Sequence, residues 1–340
     1  MMSLRVLLFE YLHADAEMYA VSSEGMRREG RAMLLALRSD LARIKGVSVD
    51  VACCETAVAD LTTERSFSVI QLSQGGMSEV SSAISRHAGT HDVIVPIIPE
   101  CDDTLPTVVS MLRADGHEVL APNNRLIAIC SDKWGTYQEL SKLGIPTIPT
   151  FRAEDLTTDA IPDGDLYVIK LRNGAGCDGI RKLPRHQLEA LHATNALDQT
   201  TVVQPFVNGE SLSIGLIGRS DEQPPLILPL AKQTIQWADG RPRYLGGEIL
   251  PVNHHVFEET SKRIASRIGE ALDLRRGYVG VDLMHCAETN QLFVTEINPR
   301  FCSSYVGYRQ ATSANLGAYV LHLKSQEQIS WSSDVCTFDS

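Results

Sequence analysis

Apolar residues recur along this chain with two different periods, and the alternation between them predicts the layout. Arg5 to Phe9 is a short apolar run that reads as a buried strand. From Gly25 to Ile44 the period changes: Met33, Leu34, Leu37, Leu41 and Ile44 fall on one side of a helix. Val47 to Ala52 predicts a second strand, Met77 to His87 a second helix, and Asp92 to Ile98 another buried strand. This rhythm predicts a small open parallel sheet over the first part of the chain.

A further helix is expected to begin at Ser131, a good N-cap residue, and to run through Tyr137 and Leu140 to Leu143. Gly144 ends it, and Ile145-Pro146-Thr147-Ile148-Pro149 forces an extended exit. Beyond this point the pattern is β-rich, with strands expected at Tyr167 to Leu171, Thr201 to Val207, Leu212 to Ile217 and Leu226 to Leu230. A helix from His255 to Leu272 precedes two more β-type runs, Val279-Gly280-Val281-Asp282-Leu283 and Val294-Thr295-Glu296-Ile297-Asn298-Pro299-Arg300. From Ser330 onward few apolar anchors remain, and the tail is expected to fray.

At 340 residues, 44% of them apolar and 21% charged, the composition is that of a globular protein with room for more than one domain. A net charge of −11 argues against nucleic acid as the main partner. No apolar run approaches a bilayer span, so no membrane partner is expected. The apolar N-terminus is short and lacks a small-residue cleavage site, which reads as a strand rather than a leader. Eight cysteines without a Cys-x-x-Cys pair predict a reduced, cytoplasmic protein. The first strand is not followed by Gly-x-Gly-x-x-Gly, which disfavours a dinucleotide site.

The candidate chemistry gathers in a few places. Glu296 and Asn298 lie two residues apart on an extended run, hence on one strand face, with Arg300 just beyond. If the Asp282 run pairs with this one, three hard oxygen ligands converge as magnesium requires. An exposed polar strand face is the alternative, but these carboxylates sit in apolar runs, where burial demands a partner. Lys170 ends a strand just before Asn173-Gly174-Ala175-Gly176-Cys177-Asp178-Gly179, whose amides can approach an anion. The same pattern also fits a glycine-rich hairpin with a solvated lysine. Lys133 stands at a helix start, where the dipole and the ammonium both favour phosphate, although surface lysines are common there. Gln204, Pro205, Phe206 and Val207 lead into the turn pair Asn208-Gly209, an edge that can meet a purine or be a plain strand end. Lys232, after the next strand, reaches the same site or is solvated.

Taken in order from Cys130 to Gly307, these pieces resemble the ATP-grasp superfamily. They are Asp132-Lys133, Gly144-Ile145-Pro146, Lys170 with its glycine loop, the Gln204 hinge with Gly209-Glu210, Asp282, and Glu296-Ile297-Asn298-Pro299-Arg300. The resemblance implies an α/β chain, α+β in its nucleotide-binding part: an ATP-grasp fold preceded by a small parallel-sheet domain. The implied parts are an N-terminal domain over 1–125, a central subdomain over 126–200, a C-terminal subdomain over 201–325 and a tail over 326–340. ATP is then the nucleotide and Mg2+ the metal, with Mn2+ able to substitute. Lys133 and Lys170, with Gly174, Gly176 and Gly179, would hold phosphates. Gln204, Pro205, Phe206 and Val207 would hold adenine, with Lys232 near them. Asp282, Glu296 and Asn298 would hold the metal, and Arg300 with Lys170 would act on the phosphoryl group. Relatives place a ribose-binding carboxylate where this chain has Ser211, so Glu210 beside it is the substitute.

Further motifs, Phe9-Glu10-Tyr11, Gly209-Glu210-Ser211-Leu212-Ser213, Tyr244-Leu245-Gly246-Gly247-Glu248, Pro251-Val252-Asn253-His254, Tyr278-Val279-Gly280-Val281-Asp282 and Ser303-Ser304-Tyr305-Val306-Gly307, are similar to the tyramine–L-glutamate ligases of methanofuran biosynthesis and their bacterial relatives. Such enzymes activate a carboxylate as an acylphosphate, releasing ADP, and join it to an amine. The resemblance implies small-molecule acid and amine substrates, glutamate and a tyramine- or tyrosine-like amine, and a homodimer is common in the superfamily. Glu10 and Glu100, at or just after strand ends, are candidates to meet the amine, with Tyr11, Tyr244 or Tyr305 against its ring; ordinary strand-end residues are the alternative for each. The alternatives are a ligase of another amino-acid or peptide pathway, and a nucleotide-binding module without catalysis.

Overall fold

The computed structural model describes residues 3–61, 68–73, 75–156, 164–177, 179–219, 223–253, 255–323 and 329–339. Asp178 of the glycine loop and His254 lie outside the described residues. The first layer is a parallel sheet of β1 (Leu4–Glu10), β2 (Val47–Cys54), β3 (Ser68–Leu72) and β4 (Val93–Ile97), in the order β3-β2-β1-β4. Five consecutive buried residues in β1, Val6 to Glu10, fit a strand covered on both faces. The helix Glu24–Ala42 covers one face with Met33, Leu34, Leu37 and Leu41. Helices Met77–Ala88 and Thr104–Ala114 cover the other.

The next helix is Lys133–Lys142, and its N-cap is Asp132 rather than Ser131. The Asp132 carboxylate accepts from the Trp134 amide at 3.0 Å and is itself gripped by Arg172 at 2.7 Å. Ser131 closes the preceding helix, Asn124–Cys130, by donating its amide to Ile127. That preceding helix is what the capping signal at Ser131 alone does not reveal.

Two antiparallel sheets follow. The smaller has β5 (Phe151–Arg152), β6 (Leu166–Leu171), β7 (Arg181–Pro184) and β8 (Thr201–Pro205), in the order β5-β8-β6-β7. The larger has β9 (Gly209–Ile217), β10 (Leu226–Ala238), β11 (Arg241–Ile249), β12 (Tyr278–Cys286), β13 (Gln291–Asn298) and β14 (Cys336–Phe338), in the order β13-β12-β9-β10-β11-β14. The helix Glu258–Ala271 backs this sheet with Ile264, Ala265 and Ile268. β10 runs eight residues past the expected end at Leu230 and turns back through Asp239-Gly240, both with positive φ. Asp-Gly is the pair that a two-residue hairpin turn of this kind favours.

The tail does not fray along its described length. Cys336–Phe338 pairs with Gly247–Ile249, and Phe338 is 4% exposed. Its anchor is supplied by residues far away. A Cβ at Gly307 would lie 2.4 Å from Phe338 Cδ1, and one at Gly246, where φ is +107°, would meet the Phe338 carbonyl. Phe338→Ala is expected to cost about 3–5 kcal/mol, read as a lowered denaturant midpoint. An unchanged midpoint would show that the docked tail contributes nothing. Among the described residues, no helix is long and apolar enough to cross a membrane.

Candidate active site

Strand register brings the acidic residues together. β12 and β13 are antiparallel, with Asp282 opposite Glu296 and Gly280 opposite Asn298. Val279, Val281, Val294 and Ile297 enter a buried cluster behind the sheet, which leaves the polar residues for the other face. Asn298 Nδ2 donates to Asp282 Oδ2 at 2.9 Å, and Gln233 Nε2 donates to Asp282 Oδ1 at 2.8 Å. Lys133 Nζ lies 2.9 Å from Glu296 Oε1 and also donates to the Gly174 carbonyl.

This clustering shifts each group. Burial, then the Glu296 charge, push the Asp282 carboxyl up to about 6, against the two amide donors. Burial also works against the charged form of Glu296, but Lys133 and Lys170 overcome it and hold that carboxyl below its ordinary value. Burial pulls Lys170 down; the Glu296 charge opposes this and Lys133 adds to it. Asp282, Glu296 and the Asn298 carbonyl are the hard oxygen donors that Mg2+ takes. Among the described residues no group of three His, Cys, Asp or Glu could hold a metal.

The raised Asp282 value has a consequence for the metal-free protein. The folded state binds a proton between the unfolded value, about 4, and about 6, so the charged carboxyl costs stability above pH 6 and that cost is relieved as pH falls. With chelator present, Asp282→Asn is expected to be more stable than the unaltered chain at pH 7.5, by ~2–3 kcal/mol. The difference should shrink toward pH 4.5 in denaturant titrations. A difference that is flat with pH would contradict the assignment.

These residues share a cleft of about 1140 Å³ with Glu10, Ile97 and Pro99, at or just beyond the C-terminal ends of β1 and β4, and with Lys170, Gly176 and Phe206 from the smaller sheet and its loops. Gly176 has a φ of +64°, which favours glycine there. Lys133, Gly174 and Gly179 do not line the cleft. Lys133 is buried behind it, where it ties the glycine loop to Glu296.

At the hinge, Gln204, Pro205, Phe206 and Val207 all line the cleft, and the Gln204 amide donates to Thr150 Oγ1 at 2.9 Å. Glu210 bridges two cations, with Oε1 2.9 Å from Lys232 Nζ and Oε2 3.2 Å from His255 Nε2. Trp237 meets Phe206 edge-on at 5.7 Å, and Lys182 Nζ sits 4.5 Å from the Phe206 ring centre and 4.8 Å from that of Trp237. Gln233, Trp237 and Lys182 were not singled out by sequence. Gln233, Ile235 and Trp237 alternate along β10 and all line the cleft, a period-two signal visible once the strand is known to continue.

Arg300 also lines the cleft, with its guanidinium forked onto Glu100: Nε to Oε2, and Nη2 to Oε1 at 3.2 Å. Burial disfavours the charged guanidinium, but Glu100 more than offsets this. Glu100, 2% exposed, is therefore Arg300's counter-ion rather than a receptor for an amine. Glu10 is equally buried, and its carboxylate caps the helix Tyr11–Ala14, accepting from the His13 amide at 3.1 Å and facing the imidazole. Tyr11 gives its hydroxyl to Asp15 at 3.0 Å and Tyr305 to Asp40 at 2.8 Å. Both rings are core residues; of the three tyrosines considered, Tyr244 is the one that lines the cleft.

A family model described as ATP-grasp domain matches residues 130–304, more than half of the 340. The chain belongs to the ATP-grasp family. A curated relative, the tyramine–L-glutamate ligase of Methanocaldococcus fervens, is 23% identical over 96% of this chain and 96% of its own. A solved structure assigned to the ATP-grasp superfamily, from Archaeoglobus fulgidus, superposes with a TM-score of 0.69 at 20% identity, covering 94% of this chain and 88% of that one. The biotin carboxylase domain of 2-oxoglutarate carboxylase from Hydrogenobacter thermophilus, solved with MgADP and bicarbonate, gives 0.70 at 13% identity, covering 99% and 73%. The fold is thus an ATP-grasp fold preceded by a parallel-sheet layer.

Proposed function

We propose that this ATP-grasp ligase activates a carboxylate of glutamate as an acylphosphate and joins it to tyramine or a tyrosine-like amine, with release of ADP. The observation that carries the reaction is the convergence of Asp282, Glu296, Asn298, Lys170 and Arg300 on one cleft, facing the strand ends of the first sheet. The two substrates come from the Methanocaldococcus relative, which matches along nearly its whole length.

In this reading Asp282, Glu296 and Asn298 hold Mg2+, or Mn2+ in its place, and the metal when bound neutralises phosphate charge. Lys170 and the backbone around Gly176 take the phosphates, and Lys133 keeps that loop and Glu296 in position. Phe206, Val207 and Trp237 supply the apolar wall for the base, and Glu210 meets the ribose. Arg300, fixed by Glu100, offers its remaining N–H groups to the phosphoryl group as it moves to the acid. No covalent enzyme nucleophile is required. The division of the chain near residues 125, 200 and 325 accompanies this reading.

The test is ADP release by the purified chain with Mg-ATP, glutamate and a panel of aromatic amines, with the product weighed by mass spectrometry. Amine-dependent ADP and a glutamyl amide are expected. Tight ATP binding without turnover for any acid and amine pair would sink the proposal.

A further inference from the structure

An amine reaches an enzyme at neutral pH as an ammonium ion, and a cleft that selects it needs a carboxylate not already committed to another cation. Most of the acidic residues here are committed. Glu10 caps a helix and faces His13, and Glu100 holds Arg300. Glu296 holds Lys133, Glu210 holds Lys232 and His255, and Asp282 takes two amides. Glu29 differs. It lies on the helix Glu24–Ala42, is half-buried, lines the cleft, and has no ion-pair partner among the described residues.

Its hydrogen bond fixes where it acts. Ser303 Oγ donates to Glu29 Oε1 at 2.9 Å, across 274 residues of sequence, and ties the carboxylate to the loop that follows Arg300. Cys302, Ser303 and Tyr244 line the same part of the cleft. After burial, the Glu29 charge is the next largest influence raising the Tyr244 phenol, and the same charge acts on Arg300 and Cys302. A carboxylate with no ion-pair partner among the described residues thus stands beside the Arg300 end of the cleft, on the helix Glu24–Ala42, with Tyr244 acted on by its charge.

We propose that Glu29, oriented by Ser303, binds the ammonium group of the amine substrate, and that this contact sets the preference for a cationic amine over a neutral nucleophile. This rests on the ligase reading above and adds the residue that receives the second substrate. One Glu29 oxygen is used by Ser303, and the other accepts from no group among the described residues, which leaves it to an N–H donor. A charge-assisted bond of this kind is roughly twice as strong as a neutral one. Glutamine at this position keeps the size and the Ser303 bond but loses the charge.

The experiment is competition between two nucleophiles in one reaction. Purified enzyme is given Mg-ATP, glutamate, tyramine and hydroxylamine at pH 7, where hydroxylamine is mostly uncharged, and amide and hydroxamate are quantified together. Glu29→Gln is expected to lower the amide-to-hydroxamate ratio at least tenfold and to raise the KM for tyramine by a similar factor, with the KM values for ATP and glutamate moving less than twofold. Ser303→Ala should shift the ratio in the same direction by a smaller factor. An unchanged ratio would overturn the proposal. So would equal loss of both products, because Glu29 would then serve activation or folding. If the unaltered enzyme made neither product with any acid, the ligase reading itself would fall, a result separable from either of these.

Discussion

Glu296→Gln is expected to reduce ATP-dependent turnover by about a thousandfold while the chain stays folded. Three contacts make this the residue to replace. Glu296 stands opposite Asp282 in the β12–β13 register, forms an ion pair with the buried Lys133, and is held ionised by Lys133 and Lys170 together. Glutamine preserves the shape and can still accept from Lys133, but it would offer the proposed metal a neutral oxygen and leaves two neighbouring lysines without their counter-charge. Alanine is the poorer probe. It removes the acceptor as well and strands a buried ammonium, at a cost of about 3–5 kcal/mol, so lost activity would be confounded with lost structure. The measurement is kcat with saturating Mg-ATP beside a circular-dichroism melt. Turnover within tenfold of the unaltered enzyme would remove Glu296 from the proposed metal site.

Arg300→Lys should be the second most damaging change, lowering kcat by about a hundredfold or more with a smaller effect on the KM for ATP. The guanidinium makes two bonds to Glu100 and a third to the Phe301 carbonyl at 3.1 Å, so its plane is fixed before any substrate arrives. An ammonium on a flexible stem cannot reproduce that fork. Glu100→Gln tests the positioning separately: it should lower kcat by a smaller factor and leave ATP binding near normal. Glu100→Ala should instead destabilise the fold by about 3–5 kcal/mol, because Arg300 would be buried without a partner. Equal rises in the KM for ATP in both Arg300→Lys and Glu100→Gln, with kcat unchanged, would mean that the pair serves binding and not the transfer step.

Periodicity made the elements legible but not their partners. The run Arg5 to Phe9 and the stripe Met33, Leu34, Leu37, Leu41 carry their faces in their spacing, and the structure places them as a buried strand and its covering helix. Glu296 and Asn298 share a face for the same reason, since two residues apart on a strand is one face. What spacing cannot supply is a contact closed across the fold. Glu100 looks like a carboxylate waiting at a strand end until Arg300, 200 residues away, is found on it. Glu29 looks like one helix-surface acid among several until Ser303 is placed beside it. Tyr305 reads as an aromatic near Arg300, but its hydroxyl is drawn to buried Asp40 and the ring goes into the core. Phe338 shows the opposite case, a lone apolar residue in a polar tail whose site exists because Gly246, Gly247 and Gly307 leave room for it.

The central claim, that this cleft activates an acid by phosphoryl transfer, is tested most directly by following oxygen. Glutamate carrying 18O in its carboxylates is turned over with Mg-ATP and tyramine, and the released phosphate is examined by mass spectrometry. Attack of a carboxylate oxygen on the γ-phosphorus, followed by C–N bond formation, leaves that oxygen on phosphate. One 18O per phosphate released is expected, with ADP as the nucleotide product. Turnover that yields unlabelled phosphate, or that places the label in AMP, would contradict the account.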